Sequence, residues 1–98
     1  MKKVSDLYKK QGVDFEFPIV IEDESGKEIY FEDSDGFQYT RRYDQGGRQT
    51  YFEDSDGWWY KHEYDADGRL TYLEDSEGDW EQLEYDADGN VIRTTRDD

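Results

Sequence analysis

Seven glycines keep a rhythm along this chain. Gly26, Gly36, Gly47, Gly57, Gly68, Gly78 and Gly89 stand 10, 11, 10, 11, 10 and 11 residues apart, a 21-residue period made of two unequal halves. On that period Tyr30-Phe31-Glu32-Asp33-Ser34-Asp35-Gly36 returns as Tyr51-Phe52-Glu53-Asp54-Ser55-Asp56-Gly57, and again as Tyr72-Leu73-Glu74-Asp75-Ser76-Glu77-Gly78. The other half carries Tyr43-Asp44, Tyr64-Asp65 and Tyr85-Asp86, each followed by a turn glycine. So short a unit holds one strand of about seven residues and a turn of three or four, and is too short for a helix with its connections. Glycine supplies the positive φ of the turn, while Asp and Ser bond the turn's own backbone. Asp-Gly ahead of a β-rich run is a strong hairpin signal.

The rhythm predicts eight strands, at 15–22, 27–33, 37–43, 48–54, 58–64, 69–75, 79–85 and 90–96. Sequential strands joined by tight turns are antiparallel neighbours, so the expected fold is all-β, a twisted antiparallel meander of hairpin repeats. Residues 1–14 lie outside the period. Ser5 or Asp6 is placed to cap a short helix through Leu7, Tyr8 and Lys10, with Gly12 ending it. This segment reads as a helical cap over the first strand's exposed edge, and 15–98 as the repeat sheet, together one domain.

Composition alone argues the other way. Acidic residues number 27 against 12 basic, the net charge is −15, and Leu, Ile, Val and Phe total only 17, a balance typical of disordered chains. Such chains are aromatic-poor, however, and this one carries 9 Tyr, 5 Phe and 3 Trp. With no cysteine there is neither a disulfide framework nor a thiolate metal site. No apolar run approaches a membrane span, and no apolar segment follows Met1-Lys2-Lys3 as a secretory signal would require, so the expected setting is cytoplasmic. So acidic a chain is repelled by nucleic acids and anionic membranes and attracted by basic protein surfaces.

Tyr64-Asp65-Ala66-Asp67-Gly68-Arg69-Leu70-Thr71 and Tyr85-Asp86-Ala87-Asp88-Gly89-Asn90 resemble the tyrosine-aspartate (YD) repeat of Rhs and teneurin proteins. The resemblance spans about residues 27–92 and implies a spiralling antiparallel sheet. On it Tyr43, Tyr64 and Tyr85 would be ladder residues, and Asp44, Asp65 and Asp86 turn formers. Three repeats are too few for the toxin-enclosing shell of Rhs proteins, so encapsulation does not carry over. Short acidic chains of this kind look more like small phage-encoded accessory proteins.

Strand alternation places Phe37, Tyr39, Arg41 and Tyr43 on one face, matched by Trp58, Tyr60, His62 and Tyr64, and by Asp79, Glu81, Leu83 and Tyr85. Gln38, Trp59 and Trp80 fall on the other face, with Tyr30, Tyr51 and Tyr72 from the intervening strands. Laddered aromatics would substitute for an aliphatic interior. The acids sort to the strand ends. Asp33, Asp35, Asp54, Asp56, Asp75 and Glu77 gather at one edge; Asp44, Asp65, Asp67, Asp86 and Asp88 gather at the other. Eight strands about 4.8 Å apart span roughly 34 Å, so the −18 of residues 13–98 amounts to about one charge per 1.9 Å, against about 1.7 Å for duplex DNA.

Two such rails suggest nucleic-acid charge mimicry. The expected function is a non-enzymatic inhibitor of a DNA- or RNA-binding protein or nuclease complex, with phage anti-CRISPR or anti-restriction activity as its natural setting. The residues expected to meet the basic partner are Asp33, Asp35, Glu53, Asp54, Asp56, Trp59, Asp65, Asp67, Asp75, Glu77, Trp80, Glu81, Glu84, Asp86 and Asp88. Unpaired edge strands offer a route to a homodimer. The alternative is a structural or adhesive YD-repeat module, calcium-stabilised through its Asp-x-Asp-Gly turns. Those turns lack the helices and twelfth-position Glu of an EF-hand, so no metal or cofactor site is assigned. His62 is the sole histidine and no catalytic constellation forms around it, so no enzyme activity is expected.

Overall fold

The computed structural model describes residues 3–96. A helix, α1 (Val4–Gln11), precedes eight strands: β1 (Ile19–Glu22), β2 (Glu28–Glu32), β3 (Gln38–Tyr43), β4 (Gln49–Asp54), β5 (Trp59–Tyr64), β6 (Leu70–Asp75), β7 (Trp80–Tyr85) and β8 (Val91–Arg96). They form one open antiparallel sheet in sequence order, the meander the glycine rhythm requires. The seven rhythm glycines all have positive φ, from 83° at Gly47 to 92° at Gly57, a region that penalises any side chain. The strand that should begin at residue 15 begins only at Ile19. Pro18 has no N–H to give a ladder, and Phe15 instead packs against Tyr8 and Phe17, with ring centroids 5.7 and 5.3 Å apart.

The sheet is a single layer. Its radius of gyration is 17.3 Å, against about 13 Å for a compact chain of this length. Among the described residues only Ile19 and Tyr30 are buried apolar side chains. Cross-strand contacts do the work of a core. On one face Phe31, Tyr39, Phe52 and Tyr60 stack in a continuous row, with centroids 5.0, 5.5 and 5.4 Å apart and planes 11°, 28° and 10° from parallel. That spacing is close to the strand separation, so the rings are spent on each other, each pair contributing about 0.5–1.5 kcal/mol. On the opposite face Tyr51 stacks on Trp59 and Tyr72 on Trp80, both at 6.4 Å.

The two kinds of hairpin differ. Across the YD-type turns the strands pair over five residues in β3–β4, β5–β6 and β7–β8, each with a bulge at its YD end. Across the EDSDG-type turns β2–β3, β4–β5 and β6–β7 pair over only three. Beyond that short ladder the YD tyrosines supply the missing bonds. Tyr43 Oη donates to the Glu28 carbonyl at 2.8 Å, Tyr64 Oη to the Gln49 carbonyl at 3.2 Å, and Tyr85 Oη to the Leu70 carbonyl. Each tyrosine is therefore a strut at the point where two strands part. Tyr64→Phe is expected to cost about 1 kcal/mol, which for a domain of this size lowers the melting temperature by about 4–8 °C. An unchanged thermal melt would remove the strut role.

At the N-terminus Gly12 ends α1 in the left-handed region, as its sequence position implies. The start of the helix departs from expectation. Its N-cap is Lys3, and no side-chain cap bond forms there. Ser5 turns to the sheet instead: its N–H donates to Glu32 Oε1 at 3.0 Å and its hydroxyl to Glu32 Oε2. The Val4 N–H donates to Tyr30 Oη at 3.1 Å. These bonds fasten α1 to β2. Beneath it Glu32 and Gln38 are each 1% exposed.

Candidate binding surface at the turn edges

Every turn is built by its first Asp. Asp54 Oδ1 accepts the backbone N–H of Asp56 at 2.9 Å and of Trp58 at 3.2 Å. Asp33, Asp65, Asp75 and Asp86 hold the same two positions in their turns. Asp44 holds the Arg48 N–H at 2.9 Å. In Asp23, Asp44, Asp65 and Asp86 the largest cause holding the carboxyl below its usual value is the N–H four residues on, from Lys27, Arg48, Arg69 and Asn90 respectively. Of the acids expected to meet a partner, Asp33, Asp54, Asp65, Asp75 and Asp86 are thus already committed to the backbone. The second acid of each turn is not so committed: Asp35, Asp56, Glu77 and Asp88 are exposed and, among the described residues, accept no bond. Asp67 is exposed too, but receives Arg69 Nη2 at 2.7 Å.

The serines behave differently from expectation. Ser25 does bond its own turn, donating its hydroxyl to Asp23 at 2.7 Å. Ser55 and Ser76 reach out of theirs. The Gln38 N–H donates to Ser55 Oγ at 3.1 Å while the Ser55 N–H donates to the Gln38 carbonyl at 2.8 Å. Trp59 and Ser76 repeat the exchange at 3.2 and 2.9 Å. Each serine stitches its turn to the preceding repeat.

The two edges are unequal in charge. After each YD-type glycine comes Lys27, Arg48, Arg69 or Asn90; after each EDSDG-type glycine comes Phe37, Trp58 or Asp79. Arg48 Nε lies 3.3 Å from Asp44 Oδ2, with its guanidinium 5.6 Å from the Tyr64 ring centre; Arg69 Nε lies 3.0 Å from Asp65 Oδ2, with its guanidinium 5.2 Å from the Tyr85 ring centre. These arginines offset part of the charge of the first two YD turns of the repeat while bridging its repeats; the last, with Asp86, Asp88 and Asn90, has no such cation. The EDSDG edge has no such cation within its described turns. There Asp35 and Asp56 face one open groove of about 470 Å³, with Lys3 at its rim and Phe37 and Gln38 in its lining. At the third turn Asp75, Glu77 and Asp79 bring carboxylate oxygens within 4.8 Å of one another, the only such cluster among the described residues that could hold a cation.

The acids within strands scatter. Glu81 pairs with Arg96 at 3.1 Å, Glu84 stands opposite Arg93, and Glu53 accepts the Tyr51 hydroxyl at 3.4 Å. Trp59 and Trp80 are half-buried against their tyrosines. The fifteen residues therefore do not form one surface. Over the 55 Å long dimension the whole chain's net charge of −15 is about one per 3.7 Å, sparser than the about 1.7 Å of duplex DNA. The unspent second acids recur on the EDSDG edge as Asp35, Asp56 and Glu77, with Asp88 on the YD edge. His62, between Tyr60 and Tyr64 at 4.9 and 6.4 Å, is held below its usual pKa by burial. Among the described residues no helix is long and apolar enough to cross a membrane. A scan of protein-family models and a search of curated proteins find nothing that matches the chain.

Proposed function

We propose that this protein is a non-enzymatic acidic binding protein that occupies the basic, nucleic-acid-engaging surface of a DNA- or RNA-binding protein or nuclease complex, and so inhibits it. The observation that carries this reading is the EDSDG edge, where Asp35, Asp56 and Glu77 recur every second strand, about 9.6 Å apart, and no ion pair ties up any of the three among the described residues. A rigid row of carboxylates at fixed spacing stands where phosphates would stand, and its field steers a cationic partner over long range. An inhibitor that works by occupancy needs no chemistry of its own, which suits phage anti-CRISPR or anti-restriction activity in the cytoplasm.

The test is binding to a nuclease complex recovered on the immobilised protein at low salt. Affinity is expected to fall about a hundredfold between 0.1 and 0.5 M NaCl, and duplex DNA is expected to compete. Binding unchanged at 0.5 M salt, or indifferent to DNA, would defeat the electrostatic mechanism. The second reading, a calcium-stabilised structural YD-repeat module, is favoured by the cluster of Asp75, Glu77 and Asp79. A large rise in melting temperature with millimolar calcium, unmatched by sodium, would select it instead.

A further inference from the structure

The helix α1 sits on a receptor that the sheet repeats. In the first repeat the Tyr30 hydroxyl donates to Glu32 Oε1 at 2.8 Å, and this pair receives the first two N–H groups of α1 and the Ser5 hydroxyl. Helix N-terminal N–H groups have no partner within their own helix, and a carboxylate placed there also meets the positive end of the helix dipole. With no side-chain cap of its own, α1 is capped in trans by the sheet.

Twenty-one residues on, Tyr51 Oη donates to Glu53 Oε1 at 3.4 Å, the same atoms in the same register, and Tyr72 and Glu74 repeat it at 3.3 Å. Among the described residues no helix docks on the second pair as α1 docks on the first; the Arg42 guanidinium lies 5.2 Å from the Tyr51 ring centre, and both Tyr51 and Glu53 remain partly exposed. A change of wall accompanies the absence of a docked helix. The slot of Gln38, buried under α1, is filled by Trp59, which stacks on Tyr51 and gives the second site an apolar wall.

We propose that Tyr51, Glu53 and Trp59 form a docking site for the first turn of a short basic helix presented by a partner protein, with a hydroxyl residue at its second helical position. The chain's own α1 states the chemistry required. It carries Lys9 and Lys10 in its last turn and Lys3 at its N-cap, it offers Val4 and Ser5 N–H groups to an acidic sheet, and it adds the Ser5 hydroxyl. A second copy of this chain is not the occupant, because its only helix among the described residues is already spent on its own Tyr30 and Glu32. The site lies on the sheet face where β4 runs into its EDSDG turn, and it uses Glu53 and not the exposed turn acids Asp35, Asp56 and Glu77, so substitutions at either set test one surface without the other.

The probe is a synthetic peptide of residues 1–13, titrated into the isotope-labelled full chain while backbone amide and Trp indole shifts are followed. Saturable shifts at Tyr51, Glu53 and Trp59 are expected, weakened about tenfold or more by Glu53→Gln in the protein and by Ser5→Ala in the peptide. Tyr51→Phe serves as a second variant, and thermal melts confirm that both variants fold. No saturable shift at millimolar peptide would overturn the proposal. So would shifts confined to Tyr30 and Glu32, which would mean that the peptide merely exchanges with α1, or equal binding by a scrambled peptide of the same charge. Self-association of the full chain that Glu53→Gln abolishes would assign the site to a second copy and likewise overturn it.

Discussion

Lysine at Asp35, Asp56 and Glu77 together is expected to weaken partner binding at least a hundredfold while leaving the melt almost unchanged. The three carboxylates hold no backbone group, so exchanging them falls among surface substitutions that move stability by about 0.5 kcal/mol or less each. Against a cationic partner, each lysine replaces an attraction with a like-charge contact. A hundredfold loss is only about 2.8 kcal/mol, less than a single desolvated like-charge pair can cost. Alanine at Asp33, Asp54 and Asp75 should do the reverse. Each of these accepts two backbone N–H groups that fix its turn, and losing them costs about 1–2 kcal/mol per turn. Three turns together approach the whole stability of a small domain, about 5–15 kcal/mol, so that variant is expected to unfold near body temperature. Calorimetry and binding on the two triple variants separate the roles. A folded lysine variant that still binds would clear the EDSDG edge of any part in recognition; an unfolded one would return those acids to the fold.

The division between the two acids of a turn shows what the sequence could and could not disclose. Strand positions were legible to within a residue or so from β2 onward, because glycine placement and alternation are local and repeat three times. The cations of the YD edge were legible too. Lys27, Arg48 and Arg69 share one column of the repeat, against Phe37, Trp58 and Asp79 in the other half, a signal that counting acids alone passes over. The reach of Ser55 and Ser76 to strands 17 residues back was not, since DSDG and DSEG read locally as self-bonded turns. Least legible was Glu32. By pattern it is the twin of Glu53 and Glu74, and only the arrival of a helix from 27 residues upstream makes it a buried carboxylate.

That carboxylate governs the second large effect. Glu32→Ala removes the acceptor for the Ser5 N–H, the Ser5 hydroxyl and the Tyr30 hydroxyl at once, in a place sealed from water. Stranding these donors costs about 3 kcal/mol or more. The helix can leave without the sheet, so the loss is expected as undocking: amide exchange protection disappears from Val4–Gln11 while β3–β8 keep theirs. Loss of protection across the whole sheet would show instead that α1 and the repeats unfold as one unit. The pH dependence follows from the same contacts. Burial pushes the Glu32 carboxyl up, but the Ser5 hydroxyl, the Ser5 N–H, the Tyr30 hydroxyl and the charge of Lys3 together hold it below its ordinary 4.5. The undocked form therefore takes up protons first as pH falls. Glu32's contribution is whole above 4.5 and is lost as pH drops through its depressed value. Tyr30 moves the other way, pushed up to about 12 by burial and by Glu32, the Val4 N–H opposing, so its contribution is whole below pH 10 and lost as pH rises toward 12. Docking should hold across the wide interval between and fail at both ends. Glu32→Gln should flatten the acid limb of α1 protection. Asp23, Asp44, Asp65 and Asp86 also sit below their usual range, but their loss loosens the sheet, so an acid limb that persists at α1 in Glu32→Gln would locate the proton-sensitive group in those turns.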